Sequence, residues 1–169
     1  MKIGILSDTH GSLIQTKKAL DAMGECDLIL HLGDVIYHGP RNPLFESYQP
    51  AKLAEYLKDK DIVYVKGNCD SDVDAMVTGK DLSHKERLID LNGFKIYAVH
   101  GYEESFEERL EKAKKLGANL LCFGHSHKKL FKKVDGIDVI NPGSTSLAKD
   151  GMNSCAIYED GKCKFINLD

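Results

Sequence analysis

The sequence predicts an α/β protein in which two β-sheets pack together and carry helices on their outer faces. Up to residue 127, short apolar runs typical of strands buried on both faces alternate with helical segments. Beyond that point, Asp-Gly pairs join strand-like runs, which indicates antiparallel hairpins. The 169 residues are 42% hydrophobic and 29% charged, as in a globular protein. We therefore expect one domain over residues 1–169, with parallel and antiparallel strands mixed in its sheets.

Strands and helices are expected in alternation along the first part of the chain. The strand-like runs cover residues 3–6, 28–30, 62–65, 94–99, 120–123 and 138–140. Ser12 and Ser105 each open a capping box, which predicts that a helix begins there, the second ending at Gly117. Pro50 suits the first turn of another helix. Residues 37–49, rich in Pro, Gly and Asn, are predicted to form a long functional loop.

Hairpins are expected to complete the sheets. The predicted pairs are 86–91 with 94–99 through Asn92-Gly93, 130–134 with 138–140 through Asp135-Gly136, and 155–158 with 162–166 through Asp160-Gly161. Asn-Gly and Asp-Gly favour the two-residue turns of β-hairpins because both positions adopt positive φ.

Charge and hydropathy exclude several classes of function. The chain has 23 Lys and Arg against 26 Asp and Glu, so no basic face is predicted and a nucleic-acid partner is not expected. Its apolar runs are too short to cross a membrane, and its first residues do not resemble a signal peptide. Five cysteines, an odd number without a regular spacing, predict no disulfide framework. We therefore expect a cytoplasmic protein in which Cys122 is a small buried apolar residue.

Metal-ligating side chains follow the predicted strands. The set is Asp8, His10, Asp34, Asn68, His100, His125 and His127. Ligands gather at the carboxyl ends of strands in open α/β sheets, so we expect these side chains to converge. They are too many for one tetrahedral zinc and suit two divalent ions that share a carboxylate. Taken alone, any one of these residues is more often a loop residue or a helix cap than a metal ligand. Here, however, metal-ligating side chains follow five predicted strands.

Three features near these side chains have simpler interpretations. His31 lies inside a predicted strand and is interpreted as a hydrogen-bonded core histidine, whereas His84 lies in a polar stretch and is expected to be solvated. The alternating charges of residues 103–115 are interpreted as an exposed helix face.

The ordered motifs resemble those of the calcineurin-like metallophosphoesterases. They are Asp8-Thr9-His10, Gly33-Asp34, Gly67-Asn68-Cys69-Asp70, His100-Gly101 and Gly124-His125-Ser126-His127, and Asn141-Pro142-Gly143-Ser144 extends the match. The loop after Asp34 and the variant Cys69 narrow the resemblance to small bacterial phosphodiesterases of this family. The resemblance implies the metallophosphoesterase fold, a four-layer sandwich of two mixed sheets flanked by helices.

The resemblance also implies the assignment of ligands to two divalent metal ions. Asp8, His10 and His127 would hold one ion, Asn68, His100 and His125 the other, and Asp34 would bridge them. The group is associated with manganese, although the ligand types leave zinc, iron and nickel open. The expected reaction is hydrolysis of a small-molecule phosphodiester, by in-line attack of a hydroxide that the two cations generate.

Four further residues are candidates for roles in catalysis or substrate binding. Cys69 stands where many family members have His, and a thiol is a weaker proton donor, which favours diesters with acidic leaving groups. Cys69 could instead only fill space, and Asp70 could orient it or cap a turn. His38 could supply the proton that Cys69 cannot. Arg41 could grip phosphate with its planar fork or shape the loop.

Two main alternative functions stay open at this point, beside a nuclease that acts on polymer ends, which the slight negative charge does not support. A eukaryotic retromer subunit resembles this fold, but in that subunit the fold is a non-catalytic interaction scaffold with an impaired metal site. A phosphomonoesterase or phosphoprotein phosphatase is the other alternative, although Cys69 and the short chain argue against it. Association of the chain into a homo-oligomer is a further option, and no membrane partner is expected.

Overall fold

Ten strands and four helices make up the computed structural model, which describes residues 1–169. In chain order they are β1 (Lys2–Leu6), α1 (Leu13–Met23), β2 (Leu28–His31), α2 (Pro50–Leu57), β3 (Val63–Tyr64), α3 (Asp72–Thr78), β4 (Glu86–Leu91), β5 (Phe94–Val99), α4 (Phe106–Lys115), β6 (Leu120–Phe123), β7 (Lys129–Val134), β8 (Ile137–Pro142), β9 (Ser154–Glu159) and β10 (Lys162–Asn167). All the predicted strands are present, within one or two residues of the predicted bounds.

The strands form two five-stranded sheets of mixed direction. One has the order β10-β9-β1-β2-β3, and the other has the order β4-β5-β6-β8-β7. Strands β1, β2 and β3 run parallel, as do β5, β6 and β8, while the hairpin strands β4, β7, β9 and β10 pair antiparallel. Each sheet therefore has a parallel centre whose carboxyl ends share one edge.

An apolar core lies between the two sheets. Alternate residues of β1, such as Ile3 and Ile5, contact Ile96, Leu120 and Ile140 of the opposite sheet. The other residues of β1 face α1, and Gly4 lets that helix approach because a Cβ there would lie 2.8 Å from Met23 Sδ. Together with α2 outside the first sheet and α4 outside the second, this gives four layers, which confirms the predicted fold class.

The helix capping agrees with the sequence in part. Ser105 and Glu108 form both halves of a capping box, but Ser12 only accepts a hydrogen bond from the Gln15 amide. The short helix α3 was not predicted, although Ser71 and Asp74 cap it reciprocally. Its apolar residues do not form a buried stripe, so helical periodicity gave no signal.

The interpretation of residues 103–115 as an exposed face is wrong at one position. Arg109 is buried, and it donates hydrogen bonds to the carbonyls of Gly101 and Glu104. Because α4 turns this residue inward, its guanidinium also stacks on Phe123. Residues 37–49 contain no helix or strand, as predicted. No helix combines the length and hydropathy that a membrane span requires.

Candidate metal centre

The predicted donors converge where the parallel strands of both sheets end. They stand just beyond β1, β2, β3, β5 and β6, and the backbone N–H groups of Asp8 and His10 donate to the carbonyls of Gly33 and Asp34. A polar cleft of about 430 Å³ opens here, lined by His10, Asp34, Gly39, Pro40, Arg41, Asn42, Asn68, Cys69, His125, His127 and Lys149. Asn68 is exposed and His125 half-buried, so these two donors lie nearest to solvent.

Asp8, His10 and His127 form one cluster of donor atoms. His127 Nε2 lies 3.2 Å from Asp8 Oδ1 and 3.3 Å from His10 Nε2, and His10 Nε2 lies 3.8 Å from Asp8 Oδ1. Tetrahedral bonds of zinc to such ligands would separate them by about 3.4 Å. The three atoms therefore have the spacing of ligands around a single cation.

Asp34, His100 and His125 form a second cluster, which adjoins the first. Asp34 Oδ2 lies 3.4 Å from His100 Nε2 and 3.7 Å from His10 Nε2, so one carboxylate oxygen is near an imidazole of each cluster. Asn68 Oδ1 lies 3.1 Å from His100 Nε2. The structure thus gathers all seven predicted donors in two adjacent groups, and Cys69 Sγ lies within 4.8 Å of donor atoms of His10 and Asp34.

The hydrogen bonds of the Asp8 carboxylate leave one of its oxygens free to bind a metal. Asp8 Oδ1 is buried and has no hydrogen-bond partner, although Asp8 Oδ2 accepts from Ser7 Oγ and from the His125 amide. An unpaired buried carboxylate oxygen is costly unless it binds a cation.

Three imidazoles turn the ring nitrogen remote from the cluster toward a backbone carbonyl. The pairs are His10 Nδ1 with Tyr37 O at 2.7 Å, His100 Nδ1 with Leu32 O at 2.6 Å, and His127 Nδ1 with Leu147 O at 2.6 Å. A carbonyl accepts only from a protonated Nδ1, so the neutral ring keeps its lone pair on Nε2, which faces the cluster. These rings are oriented as metal ligands are.

The carboxylates and imidazoles also perturb one another. Burial opposes ionisation of Asp8, yet the adjacent imidazoles of His127 and His100 hold its pKa well below the usual range. Burial disfavours a charged His100, but Asp34 and Asp8 raise its pKa to about 9. A positive charge is therefore favoured between these two carboxylates, the position that a cation would occupy.

Unusual backbone conformations position the donors. Asp8, His10, Asp34, His125 and His127 all have φ between 44° and 63°. This left-handed region is strained for residues other than glycine, and such strain clusters at functional sites. The sequence did not predict these conformations.

Glycine is required where two loops of the site touch. A Cβ on Gly67 would lie 2.1 Å from Asp34 Oδ1 and 2.4 Å from the Asp34 amide nitrogen. Asp34 can therefore reach the centre only because Gly67 has no side chain.

Asp70 and the Asn141–Ser144 motif fix the loops that carry the donors. Both oxygens of Asp70 accept backbone N–H bonds, from Asp34 at 2.8 Å, Val35 at 2.7 Å and Gly67 at 2.7 Å. Asn141 donates to the Gly124 carbonyl and Ser144 donates to the Asp8 carbonyl. The structure thus places Asp70 between the loops after β2 and β3, behind the cleft.

Cys69 lines the cleft and contacts the second cluster. Its amide donates to Asp34 Oδ1 at 2.8 Å, and Asn68 Nδ2 donates to its Sγ at 3.3 Å. Burial and the charge of Asp34 raise the pKa of the thiol to about 12, so the sulfur keeps its proton.

His38 and Arg41 are placed differently by the long loop. Arg41 is exposed and lines the cleft. The His38 ring packs edge-on against Tyr37 and Tyr48 and is not among the residues that line the cleft. The structure therefore brings Arg41 to the site but leaves His38 outside it.

The interpretations of His31 and His84 are confirmed. His31 is fully buried between Thr9 Oγ1 at 2.9 Å and the Gly33 amide at 3.2 Å, and burial lowers its pKa to about 3. His84 is exposed beside Asp81. Lys149, which also lines the cleft, escaped the sequence analysis because a single lysine in a polar loop carries no motif.

The chain is similar to known proteins over most of its length. The calcineurin-like phosphoesterase superfamily domain matches residues 1–161. Phosphodiesterase YfcE of Escherichia coli is 36% identical over 156 residues, covering 89% of this chain and 83% of that protein. A phosphodiesterase of Methanocaldococcus jannaschii is 29% identical, covering 99% of this chain and 98% of its own length.

Solved structures share the whole architecture. E. coli YfcE, described as a phosphoesterase, superposes with a TM-score of 0.83 at 28% identity and covers 100% of both chains. Vps29 of Entamoeba histolytica superposes with a TM-score of 0.66 at 21% identity, also over 100% of both chains. At that identity the likeness to Vps29 concerns the fold alone.

Proposed function

Because this chain belongs to the calcineurin-like phosphoesterase superfamily, we propose that it is a phosphodiesterase that depends on two divalent cations. The observation that carries the proposal is the pair of adjacent donor clusters, with Asp34 Oδ2 near an imidazole of each. Asp8, His10 and His127 would hold one cation, Asn68, His100 and His125 the other, and Asp34 would bridge them. Manganese is the proposed metal, with zinc, iron and nickel as alternatives.

Two bound cations would lower the pKa of a water between them and neutralise charge that develops on the phosphoryl oxygens. The protein residues supply the geometry. The carbonyls of Tyr37, Leu32 and Leu147 hold three imidazoles in the ligating orientation. Asp70 holds the Asp34 loop, and Asn68 and His125 form the side that substrate reaches first. No side chain has to act as a covalent nucleophile.

The proposed substrate is a small phosphodiester with an acidic leaving group. Cys69 lies beside Asp34, and a thiol donates a proton less readily than imidazolium. A leaving group that needs no proton is therefore favoured. Two curated relatives carry the name phosphodiesterase, which supports the same choice.

Metal removal and restoration test this function. The protein is stripped with a chelator, restored with one divalent ion at a time, and assayed on matched chromogenic diesters and monoesters. We expect no activity without metal, recovery with manganese at two ions per chain, and diesters preferred over monoesters. Full activity in the stripped protein would contradict the proposal, and so would monoesters being preferred with every metal.

A Cys69→His variant tests the proposed role of the thiol. An imidazole at this position would protonate leaving oxygens, so the rate on alkyl leaving groups should rise on the order of tenfold or more relative to nitrophenyl ones. The measurement is kcat/KM across a series of leaving-group pKa values. Equal effects across the series would assign Cys69 a space-filling role.

The cellular setting follows as a proposal. None of the five cysteines is in a disulfide, which supports a cytoplasmic location. The whole chain would act as one domain, because both sheets share one core and both supply donors. A non-catalytic scaffold would not need a complete donor set, so we favour the enzyme. Self-association stays a prediction.

A further inference from the structure

Two exposed cationic side chains line the cleft together with the metal donors. Arg41 comes from the loop after β2, and Lys149 comes from the segment between β8 and β9. They approach the cleft from different parts of the chain, and neither belongs to the donor clusters. Their role is therefore separate from metal binding.

The backbone around each cation is held in place. Arg41 sits in a turn in which the Asn42 amide donates to the Gly39 carbonyl and Asn42 Nδ2 donates to the His38 carbonyl. The Lys149 amide donates to the carbonyl of His127 at 2.9 Å. The backbone of Lys149 is thus hydrogen-bonded to a residue of the first donor cluster, and both cationic side chains line the cleft from hydrogen-bonded backbone segments.

Neither cation has a carboxylate partner in the protein. Asp150, the nearest acid along the chain to Lys149, is engaged by Lys129, which reaches it through both its amide at 2.7 Å and its ammonium at 2.8 Å. Lys129 is paired in this way, whereas Arg41 and Lys149 are unpaired at one cleft and are available for an anion from outside.

The rest of the cleft indicates what kind of molecule carries that anion. Pro40 is the one lining residue with an apolar side chain, and the only aromatic rings in the lining are the imidazoles of His10, His125 and His127. The lining therefore offers no aromatic platform beyond the donors on which a nucleobase could stack. It favours a compact, polar substituent.

We propose that the substrate is a phosphodiester whose non-leaving substituent carries its own anionic group, such as a carboxylate, which Arg41 and Lys149 bind. This inference rests on the proposed function and adds the substrate class. The donor clusters handle the scissile phosphoryl group, while the two cations select the substituent that remains on phosphorus after hydrolysis.

Three p-nitrophenyl phosphodiesters, of glycolate, ethanol and choline, test this selection. They share the leaving group and differ in the other substituent, which is anionic, neutral or cationic, and hydrolysis adds water at phosphorus and releases p-nitrophenolate from each. We expect kcat/KM to fall from glycolate to ethanol to choline, with on the order of tenfold between the first two. Lys149→Ala and Arg41→Ala should bring the glycolate-to-ethanol ratio close to one, and Lys149→Glu should make choline the better substrate.

Lys128→Ala is the matched control. Lys128 is exposed and adjoins His127 but does not line the cleft, so this variant should keep the full preference. Calorimetric binding of uncleavable methylphosphonate esters of glycolate and ethanol gives a readout independent of turnover. The glycolate ester should bind about tenfold more tightly to the unmodified protein, and equally to the Lys149→Ala protein.

The phosphodiesterase activity and the selection by the two cations can fail separately. If the ethanol diester is hydrolysed but glycolate is no better, or if Lys128→Ala removes the preference as fully as Lys149→Ala does, the inference is overturned and the phosphodiesterase remains. If none of the three is hydrolysed with any metal, the proposed function fails, and equal binding of the two phosphonates would then overturn the inference as well.

Discussion

The donor-bearing edge of the sheets and the edges with hairpin turns use the same rare backbone conformation for different reasons. Eight residues other than glycine have positive φ, and three of them, Asn92, Asp135 and Asp160, are exposed at hairpins, each followed by a glycine that also has positive φ. The other five are Asp8, His10, Asp34, His125 and His127. Four of these are buried, and all five are candidate metal ligands.

The hairpin conformations are encoded locally, whereas those at the donor edge are imposed by the fold. Asn and Asp tolerate the left-handed region, and Asn-Gly or Asp-Gly forms a turn without help from distant residues. At the donor edge, the amides of Asp8 and His10 bond to carbonyls more than twenty residues away. Tertiary hydrogen bonds therefore hold these residues in strained backbone conformations, and such conformations cluster at functional sites.

Cavity size does not distinguish a functional edge from another part of the surface. A larger cavity of about 690 Å³ lies beside the beginning of β2, but its polar groups are carboxylates without an imidazole. The smaller cleft holds the donor clusters. Donor chemistry, and not volume, identifies the site.

The strongest test of the contrast exchanges aspartate for asparagine at both places. Asp34→Asn and Asp160→Asn keep a residue that tolerates positive φ, which is 58° at one position and 50° at the other. Asp34→Asn should lower metal affinity and kcat by at least about 100-fold, because it removes the proposed bridge. Asp160→Asn should change neither. Calorimetric metal titration and kcat/KM are the measurements, and unchanged metal affinity in Asp34→Asn would remove its bridging role.

Alanine in place of glycine gives the next largest effect. Gly67→Ala would force Asp34 to move, so we expect a loss of about 3 kcal/mol in the free energy of unfolding, together with weak metal binding. Gly136→Ala meets nothing within 4 Å and is strained only by its φ of 84°, so it should cost about 1 kcal/mol and leave metal binding intact. Denaturant unfolding with a metal titration measures both. Equal metal affinity in the two variants would contradict the account.

A smaller effect on the site is expected from the buried cation of α4. Arg109 supports the loop that follows His100, and its Nε lies 3.1 Å from Glu104 Oε1. Arg109→Met should cost about 3 kcal/mol and weaken metal binding about tenfold through that loop. On the same helix, Lys114→Met breaks exposed pairs with Glu111 and Asp135 and should alter neither quantity. Loss of stability with unchanged metal affinity would show that Arg109 does not influence metal binding through that loop.

Most of the fold could be predicted from the sequence because its signals are local. The buried runs fix β1, β5 and β6, and the Asx-Gly pairs fix the hairpins within two residues. Helix α3 escaped because seven residues with exposed Val73 and Met76 show no helical periodicity. Charge patterning does not report which way a helix faces, so it places Arg109 on the surface although the residue is buried.

The donors were predicted, but the residues that orient them were not. Asp8, Asp34 and the imidazoles have recognisable chemistry at strand ends, whereas Tyr37, Leu32 and Leu147 act through backbone carbonyls, which any residue possesses. Proximity in the chain does not ensure proximity in space: His38 follows Asp34 closely, yet its ring packs against two tyrosines and is not among the residues that line the cleft. Lys149 reaches the cleft only through the three-dimensional fold.

Anomalous diffraction at the manganese edge, from crystals grown with excess manganese, tests whether two cations share this site. We expect two peaks about 3.5–4 Å apart, one beside Asp8, His10 and His127 and one beside Asn68, His100 and His125, with Asp34 reaching both. A single peak, or none among these side chains, would contradict this expectation.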